Sequence, residues 1–265
     1  STSRTILHRD VHGVYVPGTE ASSEEMKELA FAVDRAGEGT LEIVSDWLDQ
    51  EIEMSWMKEY VEKSDCGLTV LQTNGDSVKT ILYCEEQFLK GKNVRPQFPG
   101  RNVGLMFGLE SSLHPFIGHP SYKEISHLPL NERLSIMRDP AFKQKILNES
   151  PSFREDLQKA AKEQKSNKTK EEIKAEAEIG KKLISNYETQ FILSDPPNYE
   201  PTREDSIAYI AEQRNQSEEE VIYDELIKDN GKSLIYACFT SYENHKLEFV
   251  ETFYKLKSSV AGGSD

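Results

Sequence analysis

The sequence predicts an α/β protein: a partial (β/α)8, TIM-like barrel that carries a helical insertion. Three observations predict it. Over the first hundred residues, short apolar runs of strand length alternate with segments of helical spacing. Between Arg101 and about Pro201 that alternation stops, and near Asp205 it returns and continues to the end of the chain. Strand, helix and strand in succession mark βαβ units and a parallel sheet.

The elements follow in order. Glu24 to Val33 places Met26, Leu29, Ala30 and Val33 on one helical face, with Ser22 or Ser23 as N-cap and Gly37 just past the end. Thr40–Val44 has strand character, Met54–Val61 is helical, and Leu68–Leu71 is a second strand. A helix over Ser77–Leu89 stops at Gly91, and Val94 opens a strand that ends at Pro96. Gly104–Glu110 is apolar and glycine-rich and runs into a His/Pro-rich loop. Helices follow at Leu130–Met137, Ala141–Asn148 and Phe153–Tyr187; the stretch Lys162–Lys182 is so rich in Lys, Glu, Gln and Ala that it suits a solvated helix. Helices at Asp205–Gln213 and Glu218–Lys228, a strand at Leu234–Phe239, a helix at Leu247–Leu256 and a strand at Val260–Gly262 complete the pattern.

This organisation predicts barrel units over 1–100, a mainly helical insertion over 101–201, and barrel units over 202–265 that end at the last barrel strand. About five strands belong to the parallel pattern, where a closed barrel needs eight in roughly 250 residues. The chain opens on Ser1 and ends on Val260-Ala-Gly-Gly-Ser-Asp265, where a strand would meet its loop. The expectation is therefore a piece of a longer protein, inactive by itself and prone to self-associate through unfilled sheet edges.

Composition narrows the function classes. A net charge of −14 opposes nucleic acid and anionic lipid as partners, since both require basic surface. No apolar run approaches the roughly 18 residues of a membrane span. Cys66, Cys84 and Cys238 are odd in number and far apart, which suits neither a disulfide framework nor a metal knuckle and points to a reducing cytoplasm.

In parallel α/β barrels the working residues stand at the C-terminal ends of strands and on the loops that follow. That rule selects Ser45, Asp46, Gln72, Asn74, Arg95, Gln97 and Asp265, with Arg4 added if Ser1-Thr-Ser3 ends an earlier strand. Asp265 follows two glycines, which allow close approach of backbone and ligand; a helix N-cap is its plain structural alternative. The six histidines form neither HxH nor HExxH, and His114-Pro-Phe-Ile-Gly-His119-Pro suits a structural or pocket-lining loop better than a metal site. GxSxG, the P-loop and GxGxxG are absent from the sequence.

Several segments, in order from end to end, resemble one family. They are Ser1-Thr-Ser-Arg-Thr-Ile-Leu-His-Arg9 with Val16-Pro-Gly-Thr19, Arg95-Pro-Gln-Phe-Pro-Gly-Arg101 with Gly104-Leu-Met-Phe-Gly-Leu-Glu110, and His114-Pro-Phe116 with Pro120-Ser-Tyr122. Asp139-Pro140, Asp195-Pro-Pro-Asn-Tyr-Glu200 and Gly263-Ser-Asp265 continue the series. Together they are similar to the N-acyl-D-amino-acid deacylases (D-aminoacylase-like proteins) of the amidohydrolase superfamily; only the lysine-rich part of the insertion has no counterpart. The resemblance implies a metal-dependent (β/α)8 barrel with a flanking β-sandwich, zinc as cofactor, and hydrolysis of the amide of a small N-acyl amino acid. It implies that the HxH pair and a cysteine ligand lie upstream of Ser1, and that Asp265 binds metal and acts as base toward the attacking water.

The sequence departs from the family at two positions. Val44-Ser-Asp46 and Val70-Leu-Gln-Thr73 place Ser45 or Asp46, and Gln72, where the resemblance implies metal-binding histidines. Two other readings stay open: a non-catalytic barrel acting as a binding or scaffold protein with an eroded metal site, and a metal-free barrel enzyme that holds an anionic substrate with Arg4 and Arg95.

Overall fold

The structure is a computed structural model that describes residues 2–5, 8, 10, 14–47, 49–72, 78–152, 181 and 184–262. The chain divides into two compact units, Ser1–Asn102 with Lys246–Asp265, and Val103–His245. Among the described residues, no helix is long and apolar enough to cross a membrane.

The first unit is an α/β sheet domain. Its strands are β1 (Thr2–Arg4), β2 (Thr40–Ser45), β3 (Gly67–Leu71), β4 (Val94–Phe98) and β8 (Val260–Ala261). Its helices are α1 (Ser23–Arg35), α2 (Gln50–Lys63), α3 (Val78–Leu89) and α9 (Glu248–Tyr254). All five strands are parallel, and the order β1-β2-β3-β4-β8 keeps each beside the next one in the unit. Ser22 caps α1 by accepting from the Glu25 N–H at 3.1 Å. Asp49 caps α2 through the Ile52 N–H at 3.0 Å, so this helix starts four residues before the periodic stretch at Met54. Glu51 and Glu53 in its first turn suit the positive end of the helix dipole.

The strands bury alternate residues, as a period of two requires. Leu41, Ile43, Leu68, Val70 and Val94 join Met26, Ala30, Trp56, Met57 and Tyr60 of the helices in one core. Phe98 packs with Ile81, Val250 and Phe253 in a second cluster, its ring stacked 4.7 Å from that of Phe253. The opposite face carries Glu42, Val44, Thr69, Leu71, Arg95 and Gln97, all half-buried.

Two strand expectations change. β4 runs past Pro96 to Phe98, because the carbonyls of its last two residues still pair: Gln72 N–H donates to Gln97 O at 2.8 Å and Gly262 N–H to Phe98 O at 2.9 Å. Proline removes a donor without ending the acceptor ladder. The strand expected at Leu234–Phe239 forms as β7 (Ile235–Thr240), but outside the parallel sheet.

β7 is instead the centre of an antiparallel sheet in the second unit, between β5 (Val103–Phe107) and β6 (Gln190–Ile192). Gly104 makes this pairing possible. A Cβ there would lie 2.5 Å from the Tyr236 ring, which crosses the strand at that point. Around the sheet stand α4 (Pro120–Ile125), α5 (Leu130–Met137), α6 (Pro140–Leu147), α7 (Ile207–Arg214) and α8 (Glu218–Leu226). Phe107, Phe116, Leu134, Ile146, Tyr223 and Ile235 anchor their common core. The Tyr223 hydroxyl donates to Met137 O at 2.8 Å inside it. The long helix expected from Phe153 lies mostly outside the described residues; at its expected end, Tyr187–Thr189 form a 3-10 turn.

Candidate functional site

Three of the candidate residues stand where β1, β2 and β3 end. Register pairs Arg4 with Ser45, and the Ile43–Val70 pair carried on two residues sets Ser45 beside Gln72. Arg4, Ser45 and Gln72 thus form a row across three adjacent strands, on one face of the sheet. That face is the one packed by helices, since Ile43 and Val70 share its parity and lie in the core.

Each member of the row is held. The Arg4 guanidinium meets Glu53 of α2 at 3.1 Å, with only 14% and 8% of the two side chains exposed. Trp56 Nε1, one helical turn on from Glu53, donates to its second oxygen at 3.2 Å. Ser45 Oγ accepts from the Trp47 N–H at 3.2 Å, and Trp47 itself stands at φ 54. A bulky residue in the left-handed region is strained, and such strain persists only where neighbours enforce it. Gln72 is fully buried and donates through Nε2 to Leu71 O at 2.9 Å. Two atoms of the row are left over: Arg4 Nη1 and Gln72 Oε1 are buried without a hydrogen-bond partner.

The other candidate residues fall elsewhere. Asp46 follows Ser45 in the loop toward Asp49. Arg95 is the second residue of β4, so it lies toward the N-terminal end of that strand, away from the Arg4–Ser45–Gln72 edge. There its Nε donates to Asn93 Oδ1 at 3.3 Å and its guanidinium stacks 4.6 Å from the centre of the Phe88 ring. The expectation that Arg95 stands at a strand end came from closing β4 at Pro96. Gln97 does lie near the C-terminal end of β4, its carboxamide packed directly on the bare Cα of Gly262. Asn74 and Asp265 lie outside the described residues.

Glu53, Trp47 and Trp56 complete the site without a sequence signal of their own. An acidic residue in a first helical turn reads as a partner of the helix dipole. Only the pairing of β1 with β2 brings Arg4 within reach of it.

The row does not fit zinc. A serine hydroxyl and a neutral carboxamide are poor donors for this ion beside imidazole, thiolate or carboxylate. Among the described residues no three His, Cys, Asp or Glu side chains gather as a metal-binding group. His114 and His119, in the second unit, are buried: His114 Nδ1 accepts from the Phe116 N–H at 3.2 Å and its ring packs on Tyr122, while the His119 ring packs on Phe116 with its Nδ1 unpaired among the described residues. With Glu53 neutralising Arg4, the row offers one spare donor, the Ser45 hydroxyl and one spare acceptor, a set suited to an uncharged polar group.

No protein-family model, curated protein or solved structure matches this chain.

Proposed function

We propose that the chain forms part of a (β/α)8 barrel hydrolase of the amidohydrolase type, and that the intact protein cleaves the amide of an N-acyl-D-amino acid or a related C–N bond. The observation that carries this reading is the strand order. Each parallel strand lies beside the next, helices cover one face, and the other bears a mixed, half-buried layer. A barrel wound in one direction has this order and turns the second face inward. The polar row stands on the helix-packed face, and what it shares with barrel enzymes is its place at the C-terminal ends of β1, β2 and β3. The family segments support the choice of reaction.

Zinc enters only as far as the residues allow. Ser45 and Gln72 do not supply what the resemblance implies, and Asp265, outside the described residues, is the remaining metal-binding position. No chemical step is assigned to the ion. Those two residues also favour a second reading, a barrel that binds an amide without cleaving it.

One screen separates the readings. The intact protein, with its zinc content measured in the same preparation, is offered N-acetyl-D- and N-acetyl-L-amino acids. Amine release with a D preference supports the hydrolase. Saturable binding without release supports the binder, and neither outcome on any compound overturns both.

The same reading carries self-association. Among the described residues β1 and β8 are the edges of the parallel sheet, and such edges present backbone N–H and C=O groups to a partner strand. Burial of several hundred Å² of apolar surface, at about 25 cal/mol per Å², outweighs repulsion that salt screens beyond about 8 Å. Light scattering at micromolar concentration should give a mass above the 30.2 kDa of one chain. A clean monomer that binds no hydrophobic dye would defeat this expectation.

A further inference from the structure

We propose that Arg133 and Tyr122 of the second unit form a binding site for a single carboxylate group of a small molecule. The inference is independent of the hydrolase reading, which concerns the first unit. Arg133, the fourth residue of α5, is half-buried and held in one orientation. Its Nη1 donates to the Leu109 carbonyl and to the Tyr122 hydroxyl, both at 2.7 Å. Both acceptors are neutral. Among the described residues Arg133 has no ion pair, although Asp and Glu outnumber Lys and Arg by 46 to 32 in the chain. A part-buried cation without a counter-ion is unfavourable, because it gives up hydration and gains no compensating charge.

The arrangement of the guanidinium says what would compensate it. With Nη1 committed to the protein, the unused edge is Nε with Nη2, and Nε is buried without a partner. Two parallel N–H groups on that edge match the two oxygens of a carboxylate. Tyr122 adds a third donor: its oxygen accepts from Arg133, which leaves its own hydrogen to give. Burial raises the pKa of this hydroxyl and so keeps the proton on.

Charge selects the ligand. His114 packs edge-on against Tyr122 at 4.5 Å, and burial with the nearby guanidinium lowers its pKa to about 4, so at neutral pH it adds no second charge. One cation with neutral donors suits a monoanion better than a phosphate dianion.

The test uses the whole chain, with acetate as probe and inorganic phosphate and chloride as comparators at constant ionic strength. The Arg133 Nε–H resonance is followed by NMR, and melting checks that each variant is folded. Acetate should shift the resonance saturably, and chloride should not. Tyr122→Phe keeps the ring against His114 and leaves Arg133 its bond to Leu109, so it should fold and bind acetate about threefold more weakly. Arg133→Lys keeps the charge, loses the fork and should weaken binding at least tenfold, read from amides of Leu109 and Tyr122. A purely structural Arg133 would give no saturable acetate shift, and that result overturns the proposal. Phosphate binding tighter than acetate would overturn the carboxylate assignment.

Discussion

Replacing Arg4 with alanine is expected to destabilise the first unit by roughly 3 kcal/mol, the largest single-residue effect outside the apolar cores. The reason is what remains afterwards. Glu53 is almost wholly buried and loses the guanidinium 3.1 Å away, which among the described residues leaves it the Trp56 indole N–H as a partner. An isolated buried carboxylate costs far more than the pair it came from, because its hydration is gone and nothing replaces it. The pair itself is a weak source of stability, so Arg4→Met combined with Glu53→Leu should recover most of the loss. Both tryptophans of the chain, Trp47 and Trp56, lie in the first unit, so urea unfolding followed by tryptophan fluorescence reports on that unit. A loss below about 1 kcal/mol for Arg4→Ala, or a double variant as unstable as the single one, would contradict this account.

Acidification is expected to loosen the second unit well before its carboxylates are titrated. His114 is 1% exposed, and burial, with Arg133 and His119 nearby, lowers its pKa from 6.5 to about 4. The unfolded chain therefore takes up a proton near pH 6.5 that the folded chain refuses until about pH 4. Stability from this group is complete above the unfolded value, falls as the pH drops through the window between the two, and levels off below the folded one. At about 1.4 kcal/mol per pKa unit the whole effect is roughly 3 kcal/mol. His119 acts in the same direction, its pKa lowered first by burial, with Glu149 and Glu219 opposing. His114→Asn keeps an acceptor for the Phe116 N–H and removes the titration. Hydrogen exchange of the buried amides of α5 and α8 between pH 4.5 and 7.5 should show the slope in the wild type and a clearly shallower one in the variant. Equal slopes would remove His114 as the cause.

Much of the first unit was legible in the sequence because its signals are local. The spacing of Met26 and Ala30, the Ser22 cap and the alternation in Thr40–Val44 each depend on a few neighbouring residues, and α1 and β2 form where they predict. The candidate site was legible only as a set of strand ends. That Arg4, Ser45 and Gln72 stand side by side follows from strand register, while Arg95 fell out of the set when β4 proved longer than a proline suggested.

The sequence by itself determined the period of each segment, its caps and its charge: an α/β chain, acidic, with no metal motif in histidine spacing. Tertiary structure alone decided which strand lies beside which, and in which direction. β7 carries the same apolar pattern as a parallel strand, yet it pairs antiparallel with β5, in a register that lays the Tyr236 ring on the bare Cα of Gly104. It also decided which charges are neutralised: Arg4 by Glu53 from a distant helix, and Arg133 by no residue described. Period and capping are short-range properties of the backbone. Pairing and neutralisation depend on residues far apart in the chain, which meet only after the cores have closed.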